Sequence, residues 1–238
     1  DAKTNGRTTP RGLETPFSYS GANRVKLKWT PDSSVDRLVA IQKQLPTGTQ
    51  LTLDANESFS PATKDRLLAL NDLDIAFIEQ PFKRKDWAAL QWYQKNCTAP
   101  LALDEQLNSV EDLVDAYEKL APFVATLKPM KLGGTKAFEA ALDFCNSHNL
   151  RCFVGGLLET QLGRAYSLSL ATDSRLTETA DLPNPQSSFT THPCVTNWRY
   201  ENSVAYYNEA LPIAIDTAVV DAHTKRKKTY DTHLTAFD

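Results

Sequence analysis

Short apolar segments alternate along the chain with longer segments in which apolar residues recur at helical spacing. The apolar segments have the length of buried strands, and we predict strands at Val25–Trp29, Leu51–Asp54, Ile75–Glu79, Leu101–Asp104, Val124–Lys128 and Cys152–Gly155. The intervening segments predict helices at Ser34–Gln44, Pro61–Leu70, Asp86–Asn96, Ser109–Lys119, Thr135–Asn149 and Glu159–Ala171. Six strand–helix units in succession indicate a parallel sheet with crossover helices.

Capping signals mark the start of two of these helices. Ser60 is a candidate N-cap, and Pro61 then stands at the first helical position, where a missing N–H is tolerated. Ser109 is followed three residues later by Asp112, which resembles a capping box with Asp in place of Glu.

Five of the predicted strands end in an ionisable residue, at spacings of 26, 25, 25 and 24 residues: Lys28, Asp54, Glu79, Asp104 and Lys128. In an open parallel sheet only one or two strands supply the site, at the point where the strand order reverses. Five successive strand ends can meet only if the sheet curls into a ring. We therefore predict an α/β fold, a (β/α) TIM-type barrel. It would occupy residues 24–238, with residues 1–23 as an N-terminal segment and Leu176–Leu182 as a candidate for the eighth strand.

Composition and charge exclude several other classes of protein. The net charge is −3 with basic and acidic residues mixed along the chain, so a nucleic-acid-binding face is not expected. No apolar run reaches the roughly 18 residues of a membrane helix. The four cysteines form no Cys-x-x-Cys pair, and Cys145 and Cys152 are expected in or near the core. A soluble, cytoplasmic protein is the resulting interpretation.

Three of the strand-end residues are carboxylates: Asp54, Glu79 and Asp104. Three converging anions would repel one another strongly at the rim of a buried sheet. A hard divalent cation such as Mg²⁺ removes that conflict, because it prefers oxygen ligands and leaves positions open for substrate oxygens. Each carboxylate taken singly could instead be a helix cap or a surface acid.

Lysines and glycines complete the candidate chemistry. Lys26 and Lys28 share one face of their strand because side chains alternate, and Lys128 ends a later strand. A partly desolvated lysine near other cations can act as a base, although a half-exposed edge strand would also explain the first pair. The pairs Gly133-Gly134 and Gly155-Gly156 suit tight turns or close approach to a ligand.

Taken in order, these motifs resemble the muconate-lactonizing-enzyme subgroup of the enolase superfamily. They are Lys-x-Lys (Lys26, Lys28), Asp-Ala-Asn (Asp54, Asn56), Glu-Gln-Pro (Glu79), Asp-Glu (Asp104, Glu105) and Lys-Pro-x-x-x-Gly-Gly (Lys128 to Gly134). The segment from Gly155 to Arg164 is most similar to the o-succinylbenzoate synthases, close kin of the N-succinylamino-acid racemases.

The resemblance implies a Mg²⁺ site, which Mn²⁺ would also fit, formed by Asp54, Glu79 and Asp104. Lys28 would take the proton α to the substrate carboxylate and then help hydroxide to leave, while Lys128 would stay cationic on the opposite face. The implied reaction is the dehydration of a succinyl-bearing cyclohexadiene carboxylate to an aromatic product, a step of menaquinone synthesis.

Further residues receive supporting roles from the same resemblance. Lys26 would sustain the electrostatics around Lys28, and Asn56 and Glu105 would support the first ring of ligands. Gly156 and Glu159 are candidates near the substrate, since a helix that begins near Glu159 would offer backbone N–H groups to an anion.

The chain departs from this family in one respect and leaves alternatives open. Family members carry an N-terminal capping domain over the barrel mouth, whereas only 27 residues precede Lys28, so we expect that domain to be missing or truncated. Racemisation of N-succinylamino acids needs the same groups and remains an alternative, as does a non-catalytic barrel that binds a metal–carboxylate ligand. Asp181 is not part of the Asp-x-Asp pair expected of dipeptide epimerases. The sequence predicts no oligomeric state.

Overall fold

The computed structural model describes residues 23–184, 191–195, 198–201, 204–207 and 214–225. The predicted N-terminal segment therefore lies outside the described residues, apart from Asn23. Within the described ranges, no helix is both long and apolar enough to cross a membrane.

Six parallel strands form one sheet in which the spatial order follows the chain order. They are β1 (Arg24–Lys28), β2 (Gln50–Asp54), β3 (Phe77–Glu79), β4 (Leu101–Leu103), β5 (Val124–Leu127) and β6 (Arg151–Val154). A doubly wound sheet reverses its order at a switch point, and this sheet has no reversal. The order is that of a barrel wall, as the sequence predicted.

Contacts between the first and last strands show that the sheet curls. The guanidinium of Arg24, on β1, stacks 4.5 Å from the ring centroid of Phe153, on β6. Phe153 also stacks on Phe77, and these rings lie with Ala102 and Val124 in a small cluster of their own. This cluster is the inward-facing layer, because alternate residues of the same strands belong to the separate core beneath the helices.

The candidate eighth strand at Leu176–Leu182 is much shorter in the structure than the sequence suggested. Among the described residues this segment contributes a single parallel bridge, between Gly155 and Asp181, beside β6. Asp181 therefore occupies the seventh position along the sheet.

Helices cover the outer face of the sheet. They are α1 (Val35–Gln42), α2 (Trp87–Asn96), α3 (Val110–Leu120), α4 (Pro129–Leu132), α5 (Thr135–Ser147) and α6 (Gln161–Leu170). A further helix, α7 (Thr217–His223), lies near the end of the described chain and has no buried residue. Two small antiparallel pairs follow α6: β7 (Cys194–Val195) with β10 (Ala214–Ile215), and β8 (Trp198–Glu201) with β9 (Val204–Tyr207). Cys145 and Cys152 lie buried in the core between helices and sheet, as predicted.

Local hydrogen bonds explain where the helices begin. Ser34, Asp86, Ser109 and Thr160 each cap the following helix by accepting a backbone N–H three residues ahead. The prediction of a helix from Pro61 is wrong, because residues 61–63 form a turn and a 3₁₀ helix follows at Lys64–Leu70. The Ser60 carbonyl accepts the N–H groups of Thr63 and Lys64, which closes that turn before the helix starts.

Candidate active site

Strand register places three of the predicted side chains in one row. Lys28 on β1 is the register partner of Asp54 on β2, and Asp54 is the partner of Glu79 on β3. Neighbouring strands are about 4.8 Å apart, so these residues are adjacent along the carboxyl edge of the sheet. The alternate residues Leu53 and Ile78 face the helices and are buried there, which directs the ionisable side chains inward.

Asp104 and Lys128 stand one residue beyond the ends of β4 and β5. Gln80 helps to fix Asp104, because its buried amide oxygen accepts the Asp104 N–H at 3.1 Å and its amide nitrogen donates to the Phe82 carbonyl at 2.9 Å. Gln80 has a φ of 40°, a left-handed conformation that is uncommon outside glycine.

Lys26 lies among three carboxylates. Its Nζ is 2.5 Å from Asp181 Oδ2, 3.0 Å from Glu79 Oε2 and 3.2 Å from Asp54 Oδ2. Burial alone would lower the pKa of Lys26, but Glu79 and Asp181 raise it well above its ordinary value. These carboxylates therefore favour the charged form of Lys26.

Lys28 has a more open position than Lys26. Its Nζ is 2.6 Å from Asp54 Oδ2 and also donates to the side-chain oxygen of Asn56. The amide nitrogen of Asn56 donates to Glu105 Oε1 at 2.9 Å. The structure thus joins Lys28, Asn56 and Glu105 into one hydrogen-bonded chain along the rim.

Lys128 lies against the third predicted metal ligand. Its Nζ is 2.5 Å from Asp104 Oδ2, and the Nζ of Lys131 is 3.0 Å from the Asp104 carbonyl. Burial opposes ionisation of Asp104, but Lys128 and Lys131 outweigh it and lower the pKa of this carboxyl. The three carboxylates of the row thus lie between Lys28 at one end and Lys128 at the other.

The donor set fits a hard divalent cation in its chemistry. Burial raises the pKa of Glu79 to about 8, because Lys26 only partly offsets the desolvation and the negative charges of Asp54 and Asp104. A further cation at these oxygens would stabilise the ionised cluster. In the described chain, however, no three His, Cys, Asp or Glu side chains are arranged to hold a metal ion, and ammonium groups contact the carboxylates instead.

Residues 14–210 match the family described as Enolase C-terminal domain-like. The chain belongs to this family. The resemblance to the enolase superfamily that the motifs predicted is thereby confirmed, and the six-stranded sheet is part of its TIM-type barrel.

Curated relatives of this enolase-type chain include synthases and racemases. It is 31% identical over 166 residues to an o-succinylbenzoate synthase of Bacillus subtilis, covering 70% of this chain and 44% of the relative. It is 34% identical over 176 residues to an N-succinylamino acid racemase of Thermus thermophilus, covering 74% and 46%. The chain thus spans about half the length of the curated relatives it matches.

Solved structures agree with the fold of this enolase-type barrel. A member of the enolase superfamily from Listeria innocua superposes with a TM-score of 0.78 at 27% identity, over 87% of this chain and 56% of that one.

Two residues predicted near the substrate, Glu159 and Gly156, contact other protein groups in the structure. Glu159 Oε1 accepts the Leu157 N–H and the Ser167 hydroxyl, each at 3.3 Å, and Glu159 Oε2 lies 3.4 Å from Arg164 Nε. At Gly156, a Cβ would meet Arg164 Nη1 at 2.3 Å. Through these contacts, both residues support the loop that follows β6 of the enolase-type barrel.

Sequence reasoning did not assign a role to three residues that the structure adds to the site: Asp181, Thr126 and Lys131. The Thr126 hydroxyl, which is buried, donates to Glu79 Oε1 at 3.4 Å. Lys131 lies inside the Lys-Pro-x-x-x-Gly-Gly motif, three residues after Lys128, and this position could have indicated that it belongs to the site. Asp181 and Thr126 belong to no motif that the sequence analysis identified.

Gly155 gives Thr126 and Lys128 the space that they occupy inside the enolase-type barrel. A Cβ at Gly155 would lie 2.4 Å from Thr126 Cγ2 and 3.1 Å from Lys128 Cε. We expect Gly155→Ala to lower the free energy of unfolding by about 1–3 kcal/mol, because the core would be overpacked. Urea unfolding followed by circular dichroism measures this.

Gly163→Ala is the matched control, since a Cβ there, in α6, would have no contact closer than 3.4 Å. Alanine is about 1 kcal/mol better than glycine inside a helix, so this variant should be as stable as the wild type or more so. Equal destabilisation by both variants would contradict the close approach at Gly155.

Proposed function

We propose that the chain is the catalytic barrel of a magnesium-dependent carbon–oxygen lyase of the o-succinylbenzoate synthase type. The substrate would be a succinyl-bearing cyclohexadiene carboxylate, and the reaction would be a cytoplasmic step of menaquinone synthesis. The support comes from the two lysines and three carboxylates at one mouth of the barrel. Two o-succinylbenzoate synthases that are 31% and 28% identical to the chain add to it. Of these, the placement of Lys28 and Lys128 beside carboxylates carries the proposal.

Asp54, Glu79 and Asp104 would hold the divalent cation. Bound there, it would anchor the substrate carboxylate and offset the negative charge that develops on it. Thr126, which donates to Glu79, would keep that buried carboxylate oriented. Gln80 would fix the position of Asp104, because its side-chain amide oxygen accepts the Asp104 backbone N–H.

The two lysines of β1 have different environments, which divides their roles. Lys26 and Lys28 both approach Oδ2 of Asp54, at 3.2 Å and 2.6 Å. Lys26 has two further carboxylate partners, whereas the Lys28 side chain is 41% exposed. Lys28 would therefore be the general base at the α-carbon.

Lys28 would carry out both proton transfers of the dehydration. The proton leaves the α-carbon for Lys28 Nζ, and the electron pair of the broken C–H bond passes into the ring. The C–O bond to the hydroxyl breaks, Lys28 Nζ returns its proton to the departing hydroxide, and water leaves with an aromatic ring behind. Lys128 would remain protonated beside Asp104 and stabilise the negative charge from the other side.

A second candidate is racemisation of N-succinylamino acids. The relative of 34% identity carries that name, and two lysines on different strands suit proton transfer at both faces of an α-carbon. The non-catalytic alternative has less support, because a pure metal–carboxylate binder has no need of both lysines.

Purified chain supplied with Mg²⁺ separates these functions. We expect the cyclohexadiene carboxylate to yield the aromatic product, measured by its ultraviolet absorbance. N-succinylamino acids in D₂O should show no α-deuterium by mass spectrometry. Deuterium uptake without dehydration would favour the racemase, and neither reaction, with Mg²⁺ bound, would favour the binding barrel.

A further inference from the structure

Asp181 lies between the two edges of the described sheet. Its N–H donates to the Val154 carbonyl at 2.9 Å, and its carbonyl accepts the Gly156 N–H at 3.0 Å, so its backbone follows the free edge of β6. Its carboxylate reaches Lys26 on β1, the other edge, at 2.5 Å. One ion pair therefore connects the ends of the sheet directly across the site.

Asp181 is also the nearest of the three anions around Lys26. The other two, Asp54 and Glu79, are carboxylates of the proposed cation site. Without the charge of Asp181, the Lys26 ammonium group would be drawn more strongly towards these two. A lysine in that position competes with a divalent cation for the same oxygens.

The positive charge of Arg24, which lies beneath Lys26, supports the same arrangement. Arg24 is almost fully buried one inward-facing position below Lys26, and its charge acts on Asp181 and Glu79. Burial would raise the pKa of Asp181, but Lys26 and Arg24 outweigh it and hold that pKa at about 2. Asp181 is thus an anion whenever the protein is folded near neutral pH.

We propose that Asp181 is a positioning residue that binds the Lys26 ammonium group at the seam between β1 and β6, so that Asp54 and Glu79 remain available to a divalent cation. This inference rests on the proposed function, since it concerns the same cation site. It assigns to Asp181 an effect on metal affinity that passes through Lys26.

The test is a double-mutant cycle on Mg²⁺ binding, measured by isothermal titration calorimetry on the whole chain. Asp181→Asn should weaken binding by about 10- to 100-fold, as the loss of a residue that orients a metal site does. In a Lys26→Met background, the same change should weaken it only a few-fold. Asp181→Glu, which keeps the charge, should bind far more tightly than Asp181→Asn.

Asp143→Asn is the matched control, because it removes one carboxylate from a surface ion pair with Arg175 and should leave Mg²⁺ affinity unchanged. Wild-type affinity in Asp181→Asn would overturn the inference. So would an equal loss with and without Lys26, because Asp181 would then act by its own charge alone.

Thermal unfolding without metal separates this inference from the proposed function. If the wild type fails to bind Mg²⁺, the proposed metal site is wrong. The inference that Asp181 positions Lys26 then stands if Asp181→Asn lowers the melting temperature with Lys26 present and not in the Lys26→Met background. Absence of that coupling would overturn it.

Discussion

Replacing Lys28 with alanine should reduce turnover of the cyclohexadiene carboxylate by about 100- to 10,000-fold, the usual contribution of a positioned general acid–base group. The magnitude follows from its double role, since the same amine takes the α-proton and returns it to the leaving hydroxide. Mg²⁺ affinity should stay the same or rise, because a cation 2.6 Å from Asp54 is removed. Absorbance assays and calorimetry on one preparation measure both quantities.

Lys43→Ala provides the control for this loss, because Lys43 is an exposed lysine at the end of α1, away from the strand ends. It should keep full turnover. In D₂O, the Lys28 variant should also fail to exchange the α-proton of the cyclohexadiene carboxylate. This result separates the loss of the base from a slow departure of hydroxide. Unchanged turnover in Lys28→Ala would exclude Lys28 as the base.

The sheet and the row of ionisable residues could be predicted because both depend on local sequence. Apolar residues that face the helices alternate with inward-facing ones, so Leu53 and Ile78 fix the direction of Asp54 and Glu79. The spacing of about 25 residues then requires one strand and one crossover per unit. Strand ends differed from the prediction by no more than two residues.

Elements whose form depends on distant or very short segments could not be predicted in the same way. The four residues of α4 are too few to show a period, and only Pro129 at its start and the left-handed Gly133 at its end mark it. Two local hydrogen bonds to the Ser60 carbonyl form a turn at this point, so Pro61 did not mark the start of a helix. The site residue Asp181 pairs with the sheet through a single bridge, so the candidate strand that contained it did not show that its side chain would enter the site.

The roles of Glu159 and Gly156 show a different limit. Sequence alone places them at the mouth, because they follow β6, but it does not say which side of the loop they face. Glu159 is directed to Ser167 and Arg164 of α6, and Gly156 lies against the Arg164 guanidinium. A buried charge needs a partner of opposite charge, and only the three-dimensional structure shows that Arg164 is the partner of Glu159.

Replacing Asp104 with asparagine should weaken Mg²⁺ binding by at least about 100-fold, more than the loss of a residue outside the ligand shell produces. The change removes one proposed anionic ligand and leaves Lys128 and Lys131 without their shared carboxylate. Their two positive charges would then repel the incoming cation. Isothermal titration calorimetry measures the affinity, and circular dichroism shows whether the variant is folded.

Asp115→Asn is the control for Asp104→Asn, since Asp115 pairs with Lys119 on the surface of α3 and its loss changes the net charge equally. It should bind Mg²⁺ as the wild type does. Because Lys128 and Lys131 flank Asp104, a Lys131→Met change in the Asp104→Asn background should recover part of the lost affinity by removing one repelling charge. Wild-type affinity in a folded Asp104→Asn variant would show that this carboxylate is a partner of Lys128 and not a ligand.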